Sequence, residues 1–208
     1  MQSRTYLHDL LTSTLFTEGL DSDMDLWALG FTTIWVKGAD LDTLARTFGM
    51  DLATRTPSHL SEILDHAIHD GSRWVGEVNG WIGIVPAQAD REVVRSLSEG
   101  GREALGFSMD INYNASFVYA RDGRTIISFD PSSPDERYGE DPHALDHLMD
   151  GLRFQIITES DNPDDLVEID ESVSSALALI GRITETDIAA DWFQAQHSRI
   201  GEIRESRP

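Results

Sequence analysis

Histidine and aspartate side chains recur at helical spacing close to residue 145. His143, Asp146, His147 and Asp150 are three or four positions apart, so a helix over residues 142–151 would place them on one face. Two imidazoles beside carboxylates can bind a divalent transition metal, and His143, His147 and Asp150 are the candidate ligands. The same face lies opposite a leucine stripe. A solvated helix face without a metal is therefore the competing interpretation, and no cofactor is predicted.

A second candidate site surrounds Asn79-Gly80, the preferred pair for a two-residue β-hairpin turn. The resulting register places six residues on one face of the hairpin: Trp74, Gly76, Val78, Trp81, Gly83 and Val85. Glycines between tryptophans leave a notch that either a packed helix or a ligand can fill. Glu77 falls on the opposite face among apolar residues, where a buried carboxylate could act as a general acid or base. Solvent exposure, or an ion pair with Arg73 or Arg102, is the alternative.

Charge gives the strongest signal in the chain. Of the 42 residues from Asp130 to Glu171, fourteen are acidic and two are arginine, which gives this segment a charge of −12 out of the formal −21. Such a field attracts cationic surfaces and repels phosphate. Nucleic-acid binding is not expected, because it requires a Lys/Arg patch that the sequence lacks. An acidic surface that only keeps the protein soluble is the competing interpretation.

The charge pattern predicts an acidic protein-binding module that inhibits or regulates a basic partner protein, for example as an immunity-type inhibitor of a nuclease. The predicted partner-binding residues are four carboxylates and two aromatic anchors: Asp161, Asp164, Asp165, Glu168, Tyr138 and Trp27. One alternative is an enzyme or small-molecule binder that uses a Trp74/Trp81 pocket with Glu77, or a metal at His143 and His147. Another alternative is mimicry of DNA by rows of carboxylates. The oligomeric state is left open.

Composition limits the chemistry and the setting. The chain has 208 residues, 40% of them hydrophobic, and no cysteine, which excludes disulfides, thiolate metal sites and a cysteine nucleophile. No apolar stretch approaches the roughly 18 residues that a membrane span needs, so no membrane association and a cytoplasmic location are expected. One domain over residues 1–195 and a polar, frayed tail over residues 196–208 are predicted.

Hydrophobic periodicity and turn residues indicate an α+β protein with a mainly antiparallel sheet of about five to six strands and helices packed on one face. Strands are expected at residues 31–36, 74–78, 81–85, 104–111, 116–121 and 124–130. Helices are expected at residues 7–19, 42–48, 58–71, 142–151 and 173–180, with a short segment after Asp187. The Asp122-Gly123 turn would place Phe117, Tyr119, Ile126 and Ser128 on one face of its hairpin.

Several blocks of the sequence resemble a family of uncharacterised actinobacterial proteins. The blocks are Trp74-Val-Gly-Glu-Val-Asn-Gly-Trp-Ile-Gly, residues 97–102, the hairpin over residues 117–131, and Arg137-Tyr-Gly-Glu-Asp-Pro142. The similarity also includes residues 34–38 and a C-terminal leucine-rich helix that ends in an Asp-Trp pair. This resemblance implies a single domain in a bacterial cytosolic protein. It assigns no catalytic residue, because the family has no established activity.

Overall fold

The computed structural model describes residues 3–15, 30–63, 71–110, 112–154 and 166–203. Within these ranges the strands are β1 (Phe31–Lys37), β2 (Met50–Ser58), β3 (Arg73–Val78), β4 (Trp81–Val85), β5 (Glu103–Met109), β6 (Ala115–Arg121), β7 (Arg124–Asp130), β8 (Ser133–Tyr138) and β9 (His197–Glu202). The helices are α1 (Tyr6–Leu15), α2 (Leu41–Phe48), α3 (Arg91–Leu97), α4 (Asp146–Met149), α5 (Ile169–Thr184) and a π-helix (Ile188–Phe193). Residues 60–63 are also helical.

All the described strands belong to one antiparallel sheet in the order β2-β9-β3-β4-β1-β5-β6-β7-β8. The α+β class and the mainly antiparallel sheet are confirmed, but the sheet has nine strands instead of five or six. Two of the additional strands, β2 and β8, contain Pro57 and Pro134 and lie at the two edges of the sheet. Proline is tolerated at an edge because one side of the strand needs no partner, whereas in a sequence it indicates a turn.

The ninth strand lies in the segment that was expected to fray. Residues 197–202 form β9, which is inserted between β2 and β3, and the side chain of Ile200 is fully buried. The predicted polar tail from residue 196 is therefore wrong for residues 197–202. One buried isoleucine among polar residues is too weak a pattern to indicate a strand, and only pairing with both neighbours stabilises it.

Helices cover both faces of the sheet, so the expectation of helices on one face is wrong. The residues of β1 alternate between two cores: Trp35 packs with α1, α5 and the π-helix, and Ile34 and Val36 pack with α2 and α3. A strand buried on both sides requires a helical layer on each side. Of the second layer, α2 was predicted at residues 42–48, whereas the two-turn helix α3 was not.

The hairpin registers depend on their turns. The Asn79-Gly80 turn gives the expected pairs, including Gly76 with Gly83 and Val78 with Trp81. In the β6–β7 hairpin, a β-bulge after Tyr119 shifts the pairing, so that Ile127 and Phe129 lie opposite Tyr119 and Phe117. The predicted face is therefore correct for Phe117, Tyr119 and Ile126, which pack in one core. It is wrong for Ser128, which lies opposite Val118, because one extra residue in β7 shifts the alternation of the side chains.

Helix ends follow their capping residues where a cap is available. The Asp40 carboxylate accepts a hydrogen bond from the Thr43 amide at the start of α2, and Gly49 ends this helix with a positive φ of 64°. Asp187 caps the π-helix in the expected way. The helix predicted over residues 142–151 is shorter, because residues 142–145 form turns and α4 comprises only Asp146–Met149. The helix predicted over residues 58–71 begins at residue 60, and its part beyond residue 63 lies outside the described residues.

Candidate functional site

The described part of the acidic segment forms the last edge of the sheet. We define the acidic edge as Asp135, Glu136, Tyr138, Glu140 and Asp141, all of which are exposed. They belong to β8 and to the turn after it, and no described strand pairs with the outer side of β8. Among the described residues, neither Asp135 nor Glu136 has an ion-pair partner. The edge therefore presents uncompensated negative charge together with unpaired backbone groups.

Tyr138 is the aromatic residue of this surface. Tyr138 is 56% exposed, and it is one of three exposed large hydrophobic residues in the described part of the chain, with Leu166 and Ile203. The guanidinium of Arg91, at the start of α3, lies 5.8 Å from the centre of the Tyr138 ring. A cation already rests on the ring in the free protein, so the ring face is suited to a positively charged group.

Backbone contacts and one arginine hold the acidic edge in place. Arg137 donates hydrogen bonds to the carbonyl of Pro134 and to the carboxylate of Asp146, which connects β8 to α4. Gly139 has a φ of +136°, and a Cβ at this position would lie 2.2 Å from the carbonyl oxygen of Ile126. Only glycine fits this close approach to β7. The edge is thus supported by the sheet and is not a free loop.

The predicted metal ligands lie beside the acidic edge but do not converge. The His143 side chain is 79% exposed, and its Nδ1 lies 2.9 Å from Asp146, which also binds Arg137. The hydrogen bond from His143, and then Arg137, lower the pKa of Asp146. His147 and Asp150 are exposed on and after the one-turn helix α4. In the described ranges, no three His, Asp or Glu side chains are grouped so that they could hold a metal ion.

The other predicted partner-binding residues are only partly described. Glu168 is exposed and precedes the first turn of α5. Trp27, Asp161, Asp164 and Asp165 lie outside the described residues, so their role stays a prediction.

The glycine notch of the β3–β4 hairpin is occupied by Trp192 of the π-helix. A Cβ on Gly83 would lie 2.7 Å from the Trp192 ring, and a Cβ on Gly76 would lie 3.0 Å from it. Trp74 and Trp81 are fully buried. The packing interpretation of the two glycines therefore describes this structure, and the tryptophan ring takes the space that a ligand would need.

Glu77 lies on the surface, so the expected buried position is wrong. Its side chain is 46% exposed and forms an ion pair of 2.9 Å with Arg55 of β2, instead of Arg73 or Arg102. The hairpin register was correct, but β3 near its turn is not covered on the face that carries Glu77. A half-exposed ion pair contributes little to stability. This environment gives no support to acid or base catalysis by Glu77.

Sequence reasoning missed two polar contacts, one within the sheet and one between two helices of the same layer. The Tyr119 hydroxyl donates to Glu103 over 2.5 Å across β5 and β6, and His8 of α1 lies 3.4 Å from Asp170 of α5. The alternation of side chains between the two faces of the β5–β6 pair could have indicated the first contact. No local pattern indicates the second contact, because the two residues are 162 positions apart in the chain.

Comparison with known proteins identifies the family and no more. A model of a family of unknown function (DUF6461) matches residues 58–207, which begin at the end of β2 and include all the later strands. No curated protein and no solved structure matches the chain. Among the described helices, none combines the length and the apolar character that crossing a bilayer requires.

Proposed function

The chain belongs to this family of unknown function, so its role has to be inferred from its own residues, and we propose that it binds a basic partner protein through the acidic edge. The observation that carries the proposal is the exposed Tyr138 ring on an open edge strand, beside two carboxylates, Asp135 and Glu136, that have no ion-pair partner among the described residues. Each of these features alone is common on protein surfaces. Together they supply an anchor, a charge and a rigid support.

The charge of the surface determines the class of partner. The whole chain carries −21. Arg137 and Arg124, which lie at the acidic edge, already pair with Asp146 and Glu140, and Arg91 lies over the Tyr138 ring. Lysine and arginine side chains of a partner would be attracted from a distance and would associate faster at low ionic strength. Phosphate groups of nucleic acids would be repelled.

Lasting affinity requires more than charge. Interface hot spots are enriched in tyrosine, tryptophan and arginine that become buried on binding. Tyr138 meets this description, because its ring is exposed in the free protein and can stack on an arginine of the partner. The edge position of β8 adds backbone groups that an extended segment of the partner could pair with.

Inhibition or regulation of a cationic protein is the role that this binding would serve. An acidic surface that covers the basic substrate-binding face of a nuclease blocks that face directly, which is the immunity-type function predicted from the sequence. Five further residues are proposed to bind the same partner: Asp161, Asp164, Asp165, Glu168 and Trp27. A cysteine-free chain is consistent with a reducing bacterial cytoplasm.

The test is capture of binding proteins by the tagged protein and by three variants. Tyr138→Ala removes the anchor, and Asp135→Asn/Glu136→Gln removes two charges from the acidic edge. The matched control is Asp42→Asn/Glu77→Gln, which removes two exposed charges, one on α2 and one on β3, six strands away from β8. Extracts of the cells that make the protein are applied at low ionic strength, and bound proteins are quantified by mass spectrometry.

We expect a stoichiometric basic protein to be captured by the wild type and by the control. Either acidic-edge variant should reduce its retention by about tenfold or more, the usual effect of losing one hot-spot residue. Higher salt should release the protein. If all four proteins retain the same set of proteins, the acidic edge does not bind a partner and serves solubility alone.

A further inference from the structure

A cavity of about 460 Å³ lies between α1, the C-terminal half of α5 and the start of the π-helix, and none of its lining residues belongs to the acidic edge. Tyr6 and Leu7 line it on one side, and Ala178, Gly181 and Ile188 line it on the other. Its volume falls in the range of sites that bind small molecules. Apolar and polar side chains both line it, and polar groups among apolar walls are typical of such sites.

The polar end of the cavity is negative. Glu185 and Asp187 both line it, and no described residue binds the carboxylate of Glu185. Asp187 caps the π-helix with Oδ1 alone, which accepts from the amides of Ala189 and Ala190. The second carboxylate oxygen of Asp187 stays available to a ligand.

The backbone strengthens this negative character. The 16-residue helix α5 ends at the cavity, and Glu185 follows it with a positive φ of 56°. The last carbonyl groups of a helix carry the negative end of its dipole, which favours a cation.

Arg182 is the one cation among the described residues that line the cavity, and together with the two carboxylates it leaves a net charge of −1. Its Nη1 atom donates to the carbonyl oxygens of Leu148 and Asp150, at 2.6 and 2.8 Å. Neither of these residues lines the cavity. The guanidinium therefore connects α5 to the end of α4 and does not neutralise both carboxylates.

We propose that this cavity binds a small organic ammonium ion, with its apolar part between Tyr6, Leu7 and Ile188 and its charge at Glu185 and Asp187. The Tyr6 ring provides an aromatic wall that suits a cation or a flat apolar group. The overall charge of −21 raises the local concentration of such ligands. This site is separate from the acidic edge, and either proposal can fail without the other.

Benzylamine is the probe, because it joins one ring to one ammonium group. Benzyl alcohol has nearly the same shape without charge, and benzoate has the opposite charge. Amide NMR signals of Gly181, Thr186 and Ala189 report on the cavity during each titration. We expect benzylamine to shift these signals in a saturable way, with benzyl alcohol at least about tenfold weaker and benzoate without effect.

Two variants locate the charge contribution. Glu185→Gln/Asp187→Asn keeps the shapes and the capping oxygen but removes both charges, and it should weaken benzylamine binding by about tenfold or more. Asp135→Asn/Glu136→Gln, which removes two charges at the acidic edge, should change the binding less than about twofold. Melting temperatures of all the proteins show whether the fold is retained.

Three results would overturn the proposal. The first is equal binding of benzyl alcohol, which would mean an apolar groove without cation selectivity. The second is a lack of localised binding: either Glu185→Gln/Asp187→Asn keeps its fold and binds benzylamine as well as the wild type does, or benzylamine shifts signals over the whole acidic surface. The third is the same set of shifts from calcium chloride, which would mean a site for inorganic cations.

Discussion

At the scale of single residues, contacts between side chains that are distant in the sequence determine which positions can bind a ligand and which are filled by packing. Trp192 fills the space above Gly76 and Gly83 and donates a hydrogen bond from its indole Nε1 to Thr186. It also packs edge-on against Trp35, with ring centres 6.1 Å apart. The Trp192 ring leaves no room for a side chain at either position, so glycine is needed there for packing and not for binding a ligand.

Gly83→Ala tests this packing. The added Cβ would lie 2.7 Å from the Trp192 ring and 2.8 Å from the Trp35 indole nitrogen, so we expect a loss of about 1–3 kcal/mol of unfolding free energy. Urea denaturation of the wild type and of Gly83→Ala measures this difference in unfolding free energy.

The matched comparison for Gly83 uses Trp192→Phe, which removes the part of the ring that meets the new Cβ. In the Trp192→Phe protein, Gly83→Ala should lower the unfolding free energy by less than it does in the wild type, because the two residues are in contact. Equal costs in both backgrounds would show that Trp192 does not restrict Gly83.

A buried tyrosine makes stability depend on alkaline pH. Burial, and then the hydrogen bond to Glu103, raise the pKa of Tyr119 above its ordinary value of about 10. The folded protein therefore keeps this proton at pH values where the unfolded chain loses it. The corresponding stability is present in full below pH 10 and falls as the pH rises above that value.

Tyr119→Phe should reduce this dependence. It removes one hydrogen bond to a carboxylate and costs about 1–3 kcal/mol at pH 7, but its unfolding free energy should decline less between pH 8 and pH 10.5 than that of the wild type. Denaturation at the two pH values measures the difference. Tyr138→Phe, at an exposed position, is the control, and an equal decline in wild type and Tyr119→Phe would contradict the explanation.

At the scale of elements, β9 completes the sheet late in the chain. It joins β2, which comes early in the sequence, to β3. Without it, the β2 edge would lose its only described strand partner. The same strand buries Ile200 against the α2 side of the sheet, so β9 contributes to the core as well as to the hydrogen bonding.

Ending the chain at residue 196 should abolish cooperative unfolding or lower the melting temperature strongly, because β9 is removed. Ile200→Ala is the milder variant and should cost about 2–5 kcal/mol, the usual cost of removing a buried isoleucine side chain. Ending the chain at residue 203 keeps β9 and is the control. Calorimetry distinguishes these cases, and a melting transition unchanged by ending the chain at residue 196 would show that β9 is dispensable.

At the scale of the whole molecule, the exposed negative charge of the acidic edge lies apart from the buried residues that stabilise the fold. Apolar side chains predominate among the buried residues on either side of the sheet, and the buried polar residues are serines, threonines and His8. The acidic residues of β8 and its turn lie at one edge. Neutralising these residues should therefore change association and its salt dependence with little effect on the fold. This separation is why the acidic-edge variants are suitable tests of function.

The sequence by itself determined the features that depend on near neighbours in the chain. Four such features were predicted correctly: the α+β class, the β3–β4 register, the Asp187 cap and the α5 stripe. Turn chemistry, capping and periodicity act over only a few residues. The tertiary structure alone decided the nine-strand order, the second helical layer, the burial of Trp192 over Gly83 and the exposure of Glu77. These depend on contacts between segments that are far apart in the chain, and the bulge after Tyr119 shows that one extra residue can reverse a face that local alternation predicts.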